Sequence, residues 1–161
     1  MKKAIILLLS LILLPSLMFS WEWKKEGNTI YVNPNKKGSA VGPTNTAPWF
    51  NPDYKNLNIV INDGITEIKD KTFALSDNIV SVTIPKSVKK IGKEAFAGCM
   101  NLTKVVLTSS VEEIGERAFY DCESLPYVYV PNKNAKIGND AFTKSHTKVV
   151  EYNNSKQKDK A

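Results

Sequence analysis

The chain has 161 residues, a formal net charge of +6, a single histidine and two cysteines. The length suits one domain of ordinary size, and two cysteines are too few for a disulfide framework. The mildly basic balance permits contact with anionic surfaces without demanding it.

Residues 1–20 read as a secretory signal peptide. Lys2 and Lys3 precede the apolar run Ala4–Leu14, which is followed by Pro15 and the small residues Ser16 and Ser20. The run is short for a membrane span, which needs about 20 residues. Cleavage after Ser20 and retention as an amino-terminal anchor both stay open, because Met18 is bulky for a cleavage site. Losing Lys2 and Lys3 lowers the formal charge from +6 to +4. No second apolar stretch follows, so no membrane contact is expected beyond this segment. The expected location is secreted, cell-surface or periplasmic.

Residues 21–56 read as an amino-terminal hairpin and loop cap. WEWKK, a turn at Glu26-Gly27-Asn28, and TIYV make the hairpin. Asn33–Pro48 is a loop rich in Pro, Gly, Asn and Thr. Trp21, Trp23 and Trp49 all fall here. A solenoid must cover the open hydrophobic end of its first repeat, and large aromatics suit that task; an aromatic ligand platform is the other reading.

Residues 57–152 carry an internal repeat. VTIPKSVKKIGKEAFAGCMNLTK and VVLTSSVEEIGERAFYDCESLPY are consecutive blocks of 23 residues. Extending the period gives four rungs, starting at Ile59, Val82, Val105 and Val128. Position ten is then Ile68, Ile91, Ile114 and Ile137, and position fifteen is Phe73, Phe96, Phe119 and Phe142. Only stacked equivalent units produce such columns. The predicted fold class is α/β, a short leucine-rich-repeat solenoid of about four 23-residue rungs. Each rung runs strand, corner, short helix, with the helix over Lys93–Met100 in the second rung presenting Ala95, Phe96 and Cys99 inward. Position nine (Glu67, Lys90, Glu113, Lys136) and position thirteen (Lys71, Glu94, Arg117, Asp140) alternate in sign from rung to rung, as stacked neighbours about 5 Å apart favour. The fourth rung is degenerate around Lys144–Lys148. Residues 153–161 are polar and read as a disordered tail.

The second-rung pattern IP-x-SV-x-x-IG-x-x-AF-x-x-C-x-x-L resembles the BspA-type leucine-rich-repeat family over residues 47–150. The stretch APWFNPDYKNLNIVINDGITEI resembles that family's leading segment. The family occurs on the surfaces of anaerobic bacteria and spirochaetes and in some protozoa. The resemblance implies a curved solenoid and a role in adhesion to extracellular-matrix proteins or other cells. This chain departs from the pattern in its few rungs, its degenerate last rung and the lack of a visible wall anchor.

No enzyme is expected. His146 has no paired acid or nucleophile in register, and one histidine with two buried cysteines makes neither a triad nor a zinc site. Asn62-Asp63-Gly64 is a turn signal rather than a calcium loop. No cofactor or metal is implied. Cys99 and Cys122 share a column within disulfide range; small residues filling a buried socket is the better reading, since Ser76 and Ser145 occupy the equivalent places. Cations alternate with acids along the rungs, so no single-sign stripe points to nucleic acid.

The candidate ligand-binding site is the outward stripe of the strand face: Ser81 and Thr83, Lys104 and Val106, Tyr127 and Tyr129. Paired tyrosines beside a lysine are a composition that interfaces favour, although tyrosine also suits any exposed strand. The leading expectation is a secreted or cell-surface module that binds an extracellular protein ligand (host matrix or another cell surface) through this face. The alternatives are a carbohydrate or cell-wall binding module and a structural periplasmic assembly protein.

Overall fold

A computed structural model describes residues 21–36, 38–43, 47–145 and 148–151, the last four by backbone alone. The expected signal segment, His146 and the polar tail lie outside the described residues. In chain order the strands are β1 (Trp21–Glu26), β2 (Thr29–Pro34), β3 (Ser39–Val41), β4 (Leu57–Ile61), β5 (Ile65–Ile68), β6 (Ile79–Thr83), β7 (Lys90–Ile91), β8 (Lys104–Val106), β9 (Glu113–Ile114), β10 (Tyr127–Val130), β11 (Lys136–Ile137) and β12 (Lys148–Glu151). They form two walls of a β-solenoid. One wall has the order β1-β2-β4-β6-β8, with β10-β12 beyond it; the other has β11-β9-β7-β5-β3.

The repeat columns become the core. Parallel pairing sets Ile59 beside Val82 and Val82 beside Val105 on the first wall, and Ile68 beside Ile91 and Ile91 beside Ile114 on the second. The period is therefore the solenoid coil, and the alternation within each strand buries one side and exposes the other. Position fifteen forms a continuous ring stack. Phe73–Phe96, Phe96–Phe119 and Phe119–Phe142 have centroids 4.9, 5.0 and 5.5 Å apart, with planes within 7° of parallel.

Two expectations are corrected. The residues from Trp21 onward are not a cap set apart from the solenoid. β1 and β2 do form an antiparallel hairpin, but β2 pairs in parallel with β4 and β3 pairs in parallel with β5. This segment is thus a further, shortened coil with β1 added on its edge. Trp49 extends the phenylalanine stack, 4.5 Å from Phe73, and its indole N–H donates to the Thr72 carbonyl (2.7 Å). Trp21 stacks on Trp49 at 5.4 Å. Both are buried, so neither is an aromatic ligand platform.

The short helix per rung is also absent; the third wall is a stack of turns. Positions thirteen and seventeen adopt left-handed backbone: Lys71, Glu94, Arg117 and Asp140 in one column, Leu75, Gly98, Asp121 and Lys144 in the other, with φ between 53° and 71°. A helix would direct its N–H groups along its own axis and occupy about 10 Å, twice the rung spacing. The turns instead lie flat and hydrogen-bond across rungs. Glu94, Phe96 and Gly98 donate to the carbonyls of Glu116, Ala118 and Tyr120, while Ala95, Ala97 and Cys99 donate back to Gly92, Glu94 and Phe96. Left-handed backbone at non-glycine residues costs on the order of 1 kcal/mol each, and the inter-rung bonds offset it.

The alternating charges pair as expected in Lys71–Glu94 (3.3 Å), Lys90–Glu113 (3.1 Å) and Arg117–Asp140 (3.9 Å). Lys89–Glu112 and Lys93–Glu116 add two further inter-rung pairs. All but the half-buried Glu94 are largely solvent-exposed, so these pairs specify register more than they stabilise.

Cys99 and Cys122 are unbridged, and each thiol donates to the carbonyl of the phenylalanine one rung earlier (Phe73 at 3.0 Å, Phe96 at 3.1 Å). Burial pushes both thiols up, Cys122 to about 12. A thiol titration should find no reaction in the native protein at pH 8 and two reactive thiols after unfolding; their absence after unfolding would indicate a disulfide. An unfolded thiol ionises near pH 8.5. The neutral buried thiols therefore contribute stability below that pH, and it is lost as pH rises from there through about 12.

Candidate functional site

The first wall brings all six predicted site residues onto one face. Strand pairing aligns Glu26, Thr29, Asn58, Ser81 and Lys104 in one row, with Tyr127 at the next rung. Lys24, Tyr31, Val60, Thr83 and Val106 make the neighbouring row, with Tyr129 beyond. The hairpin thus widens the face beyond the four strands that the repeat alone supplies. Ser81 is tied down by its hydroxyl, which donates to the Asn58 side-chain oxygen at 2.6 Å. Thr83, Lys104, Val106, Tyr127 and Tyr129 are exposed. Beyond β10 the face continues onto β12, where Tyr127 is in register with Lys148 and Tyr129 with Val150.

The face is not continuous. β8 and β10 exchange no ladder bonds, and the sheet divides between them. The reason lies in Pro126. One rung earlier, the backbone N–H and the hydroxyl of Thr103 both donate to the Val80 carbonyl at 3.0 Å. Pro126 occupies the same position in the next rung and has no N–H to give to Thr103. A cleft of about 200 Å³ opens at that place, lined by Thr103, Lys104, Val105, Val106, Leu107, Tyr127 and Tyr129.

The cleft reaches toward the core. Val105 and Leu107 point inward yet are 8% and 7% exposed, whereas their counterparts Val82 and Ile84 are 0% and 1%. Its walls are the two tyrosines and Val106; among the described residues its one charged lining group is the Lys104 ammonium. Four of the six predicted residues therefore meet around one opening, while Ser81 and Thr83 stand beside it on β6. Sequence reasoning missed Pro126, Thr103 and the opening itself. The signal was present as a proline inside a strand-entry column filled by Val80 and Thr103 in the preceding rungs.

Among the described residues no group of three His, Cys, Asp or Glu side chains is placed to hold a metal ion, and no helix is long and apolar enough to cross a membrane.

Comparison with solved structures returns bacterial leucine-rich-repeat proteins. The leucine-rich-repeat protein of T. pallidum is 23% identical, with a TM-score of 0.55 over 86% of this chain; the chain spans 64% of that protein's length. One from Bacteroides capillosus is 20% identical (TM-score 0.52), over 83% of this chain and 95% of the other. One from Bacteroides ovatus is 23% identical (TM-score 0.55), over 81% of this chain and 35% of the other. At these identities the likeness concerns the fold alone. Among curated proteins no match is found. The family model of the BspA type leucine-rich-repeat region (6 copies) matches residues 49–159. With the 23-residue coils and their stacked phenylalanines, that match shows that the chain belongs to the BspA-type leucine-rich-repeat family.

Proposed function

We propose that the chain is a secreted or cell-surface interaction module that binds an extracellular protein through its first wall. Lys104, Val106, Tyr127 and Tyr129 form the centre, and Ser81 and Thr83 the flank. The observation that carries this reading is the cleft these four residues share, with exposed aromatic rings and one cation beside an apolar floor. Interfaces draw most of their energy from aromatic anchors near such openings. Tyr127 is 60% exposed and Tyr129 37%, and large exposed aromatics on a strand face are available to a partner. Export through the amino-terminal segment would deliver the module to the partner's compartment.

Surface plasmon resonance of the chain against a panel of purified extracellular-matrix proteins tests this. At least one should bind with micromolar affinity, and Tyr127→Ala combined with Tyr129→Ala should weaken it about tenfold or more. Both side chains are exposed, so the circular dichroism spectrum should not change. Unchanged binding by the double variant would refute the site. The tyrosine walls also favour a second reading, a sugar ring stacked on an aromatic face. Binding to immobilised glycans with no protein bound would select it.

A further inference from the structure

We infer that the cleft between β8 and β10 is an anchor pocket for one aromatic side chain carried by an acidic extended peptide segment. The inference rests on the protein-binding reading and narrows it to a ligand chemistry. Size sets the first limit: about 200 Å³ lies below the 300–1,000 Å³ of small-molecule pockets, so the opening admits one side chain and not a whole cofactor. Shape and polarity set the second. The inward Val105 and Leu107 offer an apolar floor and Tyr127 and Tyr129 offer aromatic walls, an arrangement suited to a flat apolar group.

Charge sets the third limit. Among the described residues Lys104 is the one charged residue lining the cleft, so residues flanking the anchor meet a cation with no acid among those lining groups to neutralise it. A basic segment would be repelled there and an acidic one attracted. The chain's residues 152–161 hold three lysines and one aspartate, which makes them the wrong sign to fill the pocket themselves. The opening lies where Pro126 withholds the bond that Thr103 makes one rung earlier and where the β2-β4-β6-β8 ladder stops, which ties the pocket to this rung.

Fluorescence anisotropy of fluorescein-labelled pentapeptides on the intact chain tests the inference. The sequence EEFEE should bind about tenfold or more tightly than EEAEE or KKFKK. Lys104→Glu, at an exposed position, should reverse the preference between EEFEE and KKFKK. Pro126→Thr supplies the missing N–H donor at the entry to β10 and should abolish the EEFEE preference while leaving the circular dichroism spectrum unchanged. Equal binding of EEFEE and EEAEE, indifference to Pro126→Thr, or competition by a neutral oligosaccharide and not by EEFEE would overturn it. If a matrix protein binds through Tyr127 and Tyr129 while the peptide series is flat, this inference fails and the protein-binding reading stands. If no matrix protein binds either, both fail.

Discussion

Phe96→Ala is expected to lower the unfolding free energy by about 3–5 kcal/mol, the range for emptying a large aromatic from a packed core. Phe96 is fully buried, with Phe73 at 4.9 Å on one side and Phe119 at 5.0 Å on the other, both nearly parallel to it. Truncation therefore removes two ring contacts and leaves a cavity in the middle of the column. The cavity resists collapse. The backbone around it is tied across rungs on both sides, with Phe73 donating to the Ala95 carbonyl and Phe96 to the Ala118 carbonyl, each at 2.8 Å. Since natural domains keep only about 5–15 kcal/mol in reserve, the variant should approach the unfolding threshold. Phe142→Ala is the comparison. That ring has one stacking neighbour, at 5.5 Å, and is only half-buried, so its loss should be less than half as large. Urea denaturation of the two variants measures both. Equal losses would mean that the stack does not act as a column.

Much of this was legible in the sequence because a solenoid writes its core as columns. Ile68, Ile91 and Ile114 repeat in the sequence and meet in one sheet, and the same holds for the phenylalanines. The turn wall was misread as helix because Ala95, Phe96 and Cys99 face inward equally well from a flat spiral of turns. The left-handed residues that distinguish the two are Lys71, Glu94, Arg117 and Asp140 in one column, and only Gly98 in the other hints at positive φ. The hairpin was legible, but its membership of the sheet was not. Ile30 and Val32 alternate as Ile59 and Ile61 do, yet the loop between β3 and β4 breaks the 23-residue spacing that marks the other rungs. The candidate site was half legible. Alternation identifies Lys104, Val106, Tyr127 and Tyr129 as outward residues, whereas the cleft depends on a bond that Pro126 cannot make, and that matters only once the rungs are stacked.

Gly115→Ala should be nearly as damaging as the loss of Phe96, for the opposite reason: too much volume in place of too little. Gly92, Gly115 and Gly138 form position eleven of successive rungs, where each chain passes close over the backbone of the rung before it. A β-carbon on Gly115 would lie 2.6 Å from the Gly92 carbonyl carbon and 2.6 Å from the Lys93 nitrogen, distances that real β-carbons do not reach. Every atom it meets is backbone, so no side chain can swing aside. Relief requires the rungs to separate, which strains the bond from the Gly115 N–H to the Ile91 carbonyl (2.8 Å) and the neighbouring β7–β9 pairing. Overpacking of this kind typically costs 1–3 kcal/mol and occasionally more, and about 3 kcal/mol is expected here. The urea midpoint reads the effect, and a loss below about 1 kcal/mol would show that the rungs slide apart freely. The same substitution separates the two roles of the repeat. Gly115→Ala should lose stability and, through displaced rungs, weaken binding at the proposed β8–β10 site as well. Tyr127→Ala with Tyr129→Ala should lose binding alone.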